Sequence, residues 1–252
     1  MVNVFVTCVI PAAHSNIWRS QVELDVEEDG NTLMLRAVRR MVLIRLFNAL
    51  YSAGRWAYDP LTRVFFGSAW HNWRRTLLPF TGPDRTLELG CGTGELLPEI
   101  ALRSRVVVGF DFSDSMLEAA RQRVAKSEID AVIIRGDARA LPFVDEEFDS
   151  VVSTFPASFI ASKTTLNEIA RVLKPGGHFA VVVSARFTRF QWKRPFIHPV
   201  LRVAYGSSRS MNRWSDDLLA HPAMPGSWQD LKTPEGEAFV WVARKRQPQS
   251  ET

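Results

Sequence analysis

Cysteine is scarce in this chain: Cys8 and Cys91 are the only two in 252 residues, far apart and without metal-ligand spacing. That excludes a disulfide framework and a thiolate zinc site, so no metal is expected, and it fits a reducing, cytoplasmic compartment. Long apolar runs are missing too. No window reaches the roughly 18 consecutive apolar residues that a membrane-crossing helix needs, so no bilayer span is expected. Residues 1–13 are apolar but have no positively charged leading region, and they read as a loose tail or edge strand rather than a cleaved signal. Internal repeats and low-complexity tracts are absent. Carboxylates are absent from two stretches, between Asp29 and Asp59 and between Glu168 and Asp216. Arginines populate both: Arg36, Arg39, Arg40, Arg45 and Arg55 in the first, and Arg186, Arg189, Arg194, Arg202 and Arg213 among others in the second. With apolar and aromatic residues between them, these read as two basic faces on a chain of net charge only +4.

What is present is a foldable core. An apolar fraction of 46% supplies enough burial to offset chain entropy, and 252 residues suit one α/β domain with additions better than two domains. Residues 1–32 have no regular pattern and include the acidic run from Glu23 to Gly30, an irregular tail. Helical spacing of apolar residues follows at 33–51 and again at 61–79, where Pro79 is the breaker, so 33–84 reads as a helical lid. From Arg85 onward short β-rich runs at 86–89, 106–110, 131–135, 149–153 and 178–184 alternate with helical segments at 95–103, 114–126 and 163–173. That alternation predicts consecutive βαβ units and a doubly wound, Rossmann-like parallel sheet over 85–246. Lys174-Pro175-Gly176-Gly177 is a helix-end and turn signal. A basic aromatic insertion occupies about 186–222, and runs at 227–231 and 238–245 close the domain as an antiparallel hairpin.

The candidate functional residues stand at successive strand ends. The first strand leads into Glu88-Leu89-Gly90-Cys91-Gly92-Thr93-Gly94, where glycines allow a tight bend and a close backbone approach. The spacing is G-x-G-x-G rather than the G-x-G-x-x-G of dinucleotide sites, which argues against a nicotinamide cofactor. Glu88 puts negative charge beside this turn, suiting a ligand with a cationic end and no phosphate. The second strand ends at Asp111-Phe112, about 20 residues on, where a carboxylate can accept both hydroxyl hydrogens of a ribose; its alternative use is as a helix cap. Met116, one turn into the next helix, is placed to pack on a base or in the core. The third strand ends at Gly136-Asp137-Ala138, with Leu141-Pro142-Phe143 after it: a carboxylate for an exocyclic amine and an apolar slot for a ring. The fourth opens into Thr154-Phe155-Pro156, at the ligand-binding face of such sheets.

Four ordered motifs, Glu88 to Gly94, Asp111 with Ser115-Met116-Leu117, Gly136-Asp137-Ala138 with Leu141-Pro142-Phe143, and Arg171-Val172-Leu173-Lys174-Pro175-Gly176-Gly177, resemble the class I S-adenosylmethionine-dependent methyltransferases. The stretch from about Tyr51 to Ser184 is most similar to the branch of the ubiquinone/menaquinone biosynthesis enzymes. The resemblance implies a seven-stranded sheet with its last strand antiparallel, S-adenosyl-L-methionine as cofactor, and Tyr58-Asp59 closing over the cofactor's methionine end. Glu88, Asp111 and Asp137 are then expected at its amino-acid, sugar and base portions, with Thr154 and Phe155 bordering the methyl group. The region beyond Arg186 departs from the quinone enzymes' pattern, so the acceptor is expected only to be small and apolar, quinone-like or lipid-like.

A sulfonium is already a strong methyl donor, so alignment and water exclusion carry most of the work, and no catalytic base is assigned. For an acceptor that needs one, His71, His198 and Tyr58 stand nearest the expected lids. The arginine-bearing helix at 33–51 reads either as a lid with solvated charges or, with Phe187, Phe190, Trp192 and Phe196, as a peripheral dock on the anionic inner face of a membrane. Two further readings compete. The basic aromatic segments allow nucleic-acid methylation, but the loop after the fourth strand lacks an Asn/Asp-Pro-Pro-aromatic signature. A non-catalytic, cofactor-binding protein would carry the same strand-end motifs.

Overall fold

The computed structural model describes residues 4–7, 67–187 and 216–248. The expected helix at 33–51, the acidic run before it, Tyr58, His198 and the aromatic positions Phe190, Trp192 and Phe196 lie outside them. Strands β2 (Arg85–Leu89) and β3 (Val106–Asp111) are buried over nearly their whole length, β3 as an apolar run and β2 with Thr86 and Glu88 among its buried residues. Such strands belong inside a parallel sheet that is covered on both faces. By contrast β4 (Ala131–Arg135) mixes exposed and half-buried residues, as an edge does. With β5 (Phe148–Thr154), β6 (Leu173–Phe187), β7 (Gly226–Lys232) and β8 (Gly236–Arg244), the order across the sheet is β4-β3-β2-β5-β6-β8-β7.

Strand β2 pairs in parallel with β3 on one side and β5 on the other, so the order of winding reverses there. The carboxyl ends of β2, β3 and β5 therefore flank the switch point at which open α/β sheets bind ligands. The final strand, β8, runs antiparallel to both β6 and β7, as the resemblance implied. Strand β1 (Val4–Thr7) is an addition to that plan. It pairs antiparallel with Ser184–Phe187 of β6, just beyond the point where β5 ends with Thr154 opposite Val182.

Helices cover both faces of the sheet. On one, α1 (Ser68–Arg75), α2 (Leu97–Ala101) and α3 (Asp114–Ser127) bury Trp70, Trp73, Leu97, Ile100 and Leu117 against Val107, Val152 and Val182. On the other, α4 (Lys163–Val172) and α5 (Asp216–Leu219) bury Leu166, Ile169 and Leu219 against Leu87, Val108, Val151 and Val181. In α4 the buried positions Leu166, Ile169, Ala170 and Val172 recur at helical spacing, which gives the helix one apolar stripe.

Three local details differ from expectation, two of them through proline. Helix α2 starts at Leu97 rather than residue 95, because Pro98 lacks an N–H and is accommodated in a first turn. For the same reason Pro79 opens a short 3-10 turn at Leu78–Phe80 instead of ending the preceding helix, which has already stopped at Arg75. The Lys174-Pro175-Gly176-Gly177 segment lies inside β6 rather than between elements. Leu173 pairs with Phe148 and the register resumes with His178 opposite Ser150, so the intervening residues bulge out of the ladder. Gly176 takes φ 78° there, a conformation glycine adopts at no steric cost. Among the described residues no helix is long and apolar enough to cross a membrane.

Candidate cofactor site

The glycine turn is hooked to the neighbouring strand end: the Gly90 and Cys91 N–H groups both donate to the Phe110 carbonyl, at 2.7 and 3.1 Å. Its glycines serve different ends. A methyl group at Gly94 would stand 3.0 Å from Ala120 Cβ, so this position lets α3 pack against the turn. At Gly92, with φ 54°, a Cβ would meet nothing within 4 Å among the described residues, which leave that side of the backbone open. We expect Gly92→Ala to cost about 1–2 kcal/mol of stability, through the left-handed backbone alone, and to abolish binding of any ligand lying against the turn. Thermal unfolding and a ligand titration separate the two effects; retained binding would show that the open side of Gly92 is unused.

Asp111 ties this turn to the end of β3. Its Oδ2 accepts the Gly92 N–H and its Oδ1 accepts the Ser113 N–H, each at 2.9 Å. Burial pushes its carboxyl up, against the pull of those N–H groups and that of Phe112. Each oxygen keeps a further lone-pair direction for a hydroxyl donor. Ser113 holds the N-cap position of α3 but makes no side-chain cap, so part of the capping use foreseen for Asp111 is real and coexists with an accepting role.

Glu88, three residues before Cys91, is 1% exposed. The Thr154 side chain hydrogen-bonds its carboxyl, yet Oε2 is buried without a hydrogen-bond partner among the described residues. Burial is the main cause of a carboxyl pushed up to about 8; Arg74 opposes that rise and Asp111 adds to it. Burial likewise raises the Cys91 thiol, with Glu88 and Asp111 adding to the effect. Glu88, Cys91 and Asp111 therefore share one low-dielectric neighbourhood with an excess of acidic groups, a setting that favours an incoming cation.

At the third strand end the Gly136 N–H donates to the Asp111 carbonyl at 3.1 Å, which fixes the next residue beside β3. Asp137 is engaged by Arg139: its Oδ1 accepts the backbone N–H at 2.9 Å and its Oδ2 accepts Nη2 at 2.5 Å, and this holds its carboxyl below the usual range. Arg139 is largely exposed, with 64% of its side chain accessible, so it can swing away. Ala138 and Leu141 are buried, and Phe143 packs edge-on against Phe110 and Phe148. Phe112 is 67% exposed, whereas Met116 is buried in the interior.

The fourth strand end closes the group. The Ser153 hydroxyl donates to the Leu89 carbonyl at 2.5 Å, joining β5 to β2. Phe155 has φ 47°, unusual for an aromatic residue, and stacks on Trp70 of α1 with ring centroids 4.3 Å apart. A few residues on, Phe159 overhangs the turn, its ring 3.1 Å from where a Gly90 Cβ would sit. Glu88, the glycine turn, Asp111, Gly136 and Thr154 thus adjoin one another, with Asp137 following Gly136 in the chain, whereas Met116 lies in the interior, Phe112 is exposed and Tyr58 is outside the described residues. His71 faces elsewhere, with Nε2 2.9 Å from the Glu99 carboxylate on α2.

Two charged residues escaped the sequence reading. Arg74 of α1 and Glu95 after the glycine turn form a salt bridge in which each side chain is 10% exposed. The available signal was spacing: Arg74 follows Trp70 by one helical turn and so shares its inward face.

Comparison with known proteins bears on the family and the fold. The family profile described as a methyltransferase domain matches residues 86–177. A demethylmenaquinone methyltransferase of Symbiobacterium thermophilum is 38% identical over 144 residues, 53% of this chain and 57% of that protein. One from Thermus thermophilus is 36% identical over 133 residues, covering 50% and 60%. One from Staphylococcus aureus is 30% identical over 172 residues, covering 62% and 70%. The chain thus spans less than two thirds of the first two relatives and somewhat more of the third. Solved structures share the fold: a Methanococcus maripaludis protein superposes with TM-score 0.54 at 19% identity, over 77% of this chain and 93% of that one. A Pyrococcus horikoshii protein does so with TM-score 0.52 at 22% identity, over 80% and 97%. The ordered strand-end motifs, the sheet order and the extent of these matches lead to one assignment: the chain belongs to the class I S-adenosylmethionine-dependent methyltransferases, in the branch of the demethylmenaquinone methyltransferases.

Proposed function

We propose that this protein transfers the methyl group of S-adenosyl-L-methionine to a small, apolar, quinone-like ring compound. The observation that carries the reading is the buried Oε2 of Glu88, which has no hydrogen-bond partner among the described residues and lies in the field of Asp111, the acceptor of the Gly92 N–H. A buried acceptor without a donor is costly unless a ligand completes it, and a cationic amino group does so. The residues present therefore fit this cofactor. Glu88 takes the ammonium, Asp111 the ribose hydroxyls, and Asp137, once Arg139 swings aside, the adenine amine. Phe112 and Ala138 flank the base, and Met116 backs the helix beneath it. Gly90, Cys91, Gly92 and Gly94 shape the turn along which the methionine portion lies. S-adenosylmethionine supplies a sulfonium-bound methyl group reactive enough to need no covalent help from the protein. The chain's own task is to hold the acceptor in line and keep water out. Thr154 and Phe155 border the place of transfer, and the stacked rings of Phe155 and Trp70 suit an apolar, planar acceptor.

Support for the acceptor class comes from the demethylmenaquinone methyltransferases to which the chain is similar. A cytoplasmic protein that docks peripherally on an anionic membrane would meet such an apolar acceptor, and the arginines at 36–45 supply the charge for it. One assay tests both parts. Methyl-labelled cofactor is incubated with a reduced, demethylated menaquinone analogue carried in vesicles with or without anionic lipid. Label is expected in the extracted quinol, more with anionic vesicles and less as salt rises. Cofactor binding without transfer to any quinone would favour a non-catalytic protein, and label in added nucleic acid would overturn the acceptor class.

A further inference from the structure

We propose that Arg74 is a cofactor-binding residue whose guanidinium takes the carboxylate of the methionine end, so that Arg74 and Glu88 together grip a zwitterion. This rests on the cofactor reading above and adds to it a residue from outside the matched domain, which begins at residue 86. S-adenosylmethionine ends in an ammonium and a carboxylate on one carbon, so a site for the first needs a cation nearby for the second. Arg74 is 8% exposed and is the closest thing to a counter-charge that Glu88 has, acting on it more strongly than Asp111 does. Its position is set from three sides. Helix α1 carries it inward, Glu95 pairs with it at the foot of the glycine turn, and its guanidinium carbon lies 5.5 Å from the centre of the Trp70 ring. Trp70 in turn stacks on Phe155, the neighbour of the Thr154 that bonds Glu88.

The location is not explained by docking of α1. That helix is already held by other polar contacts: the exposed Arg75 and His71 reach Glu99, and Ser68 and Asn72 donate to the buried carboxylate of Glu235. A buried ion pair adds little stability over apolar side chains of the same size, so Arg74 and Glu95 in the interior point to use by a ligand. The planar fork of a guanidinium can serve two carboxylates at once, Glu95 on one edge and the ligand on another. Glu95 is then a positioning residue. Arg123, 3.8 Å from Glu95 and bonded through Nε to the Thr93 carbonyl at 2.9 Å, braces it from α3.

Three ligands isolate the carboxylate: S-adenosylmethionine, its decarboxylated form, and 5′-methylthioadenosine, which lacks both amino-acid charges. In calorimetric titrations the wild-type protein is expected to bind the decarboxylated form about 10-fold or more weakly than the parent. Arg74→Gln is expected to lose about 10- to 100-fold for S-adenosylmethionine while changing the other two by no more than about twofold. Arg74→Lys, which keeps the charge but not the fork, is expected to fall between. The retained methylthioadenosine affinity shows that each variant is folded. Equal wild-type affinity for the parent and the decarboxylated form, or parallel loss of all three ligands in the variants, would overturn the proposal. Failure of the wild type to bind any of the three would instead overturn the cofactor reading on which it rests.

Discussion

Replacing Glu88 with glutamine is expected to stabilise the ligand-free protein at pH 9 while weakening S-adenosylmethionine binding about 100-fold. The two effects have one cause. Burial pushes the Glu88 carboxyl up to about 8, with Asp111 raising it further and Arg74 and Thr154 pulling it down. In the unfolded chain the same group ionises near 4.5. Between those values the folded protein holds a proton that the unfolded chain has released, so stability falls as pH rises through the window and the loss is complete above about pH 8. Each pH unit of that window is worth about 1.4 kcal/mol, and glutamine, which does not titrate, escapes it. The variant's unfolding temperature is therefore expected to exceed the wild type's by about 10 °C at pH 9, and the gap should close toward pH 4.5. Binding tells the other half. An ammonium beside Glu88 requires the carboxylate, so cofactor uptake at pH 6.5 should release close to one proton from the wild type and none from Glu88→Gln. Calorimetry in buffers of different ionisation enthalpy counts that proton. Proton-free binding by the wild type, or a glutamine variant that binds equally well, would remove Glu88 from the cofactor site.

Trp73→Ala is expected to destabilise the fold by about 3–5 kcal/mol, lowering the unfolding temperature by about 10 °C or more. Trp73 is fully buried, its ring edge-on to Phe187 at 4.7 Å and to Phe155 at 6.4 Å. It joins α1 to the ends of both β5 and β6, so α1 is part of the core and not a cover laid over it. Because its neighbour Arg74 rides on the same helix, cofactor affinity should fall along with stability. Chemical denaturation with a single transition is the expected record. A variant that unfolds like the wild type, or that first loses α1 in a separate step, would make the helix a detachable lid.

The parts of the site legible in the sequence are those that local chemistry specifies. A glycine turn after a strand that carries Glu88, a second carboxylate about 20 residues on and a third at the next strand end are properties of short segments, and the parallel sheet then brings neighbouring strand ends together. The bounds of α3 and α4 were readable because their apolar stripes and flanking turns are local as well. Arg74 was not legible, since its role depends on which face of α1 meets the sheet. Nor was the engagement of Asp137 by Arg139, a matter of how one exposed side chain folds back. The helix bounds near Pro98 and Pro79 were misplaced, by two residues at the start of α2 and by four at the end of α1, because a proline in a first turn and a proline past the end look alike without the hydrogen bonds around them.

From its residues alone this chain specifies an alternating α/β core, a glycine turn and three acidic strand ends, because each depends on periodicity or backbone freedom within a few neighbours. Tertiary structure decided the rest: that Glu88 is sealed from water with one oxygen unmet by the described residues, that Arg74 stands by it, and that β1 extends the sheet past the end of β5. Desolvation and charge pairing are set by residues far apart in the chain, and only packing brings them within reach.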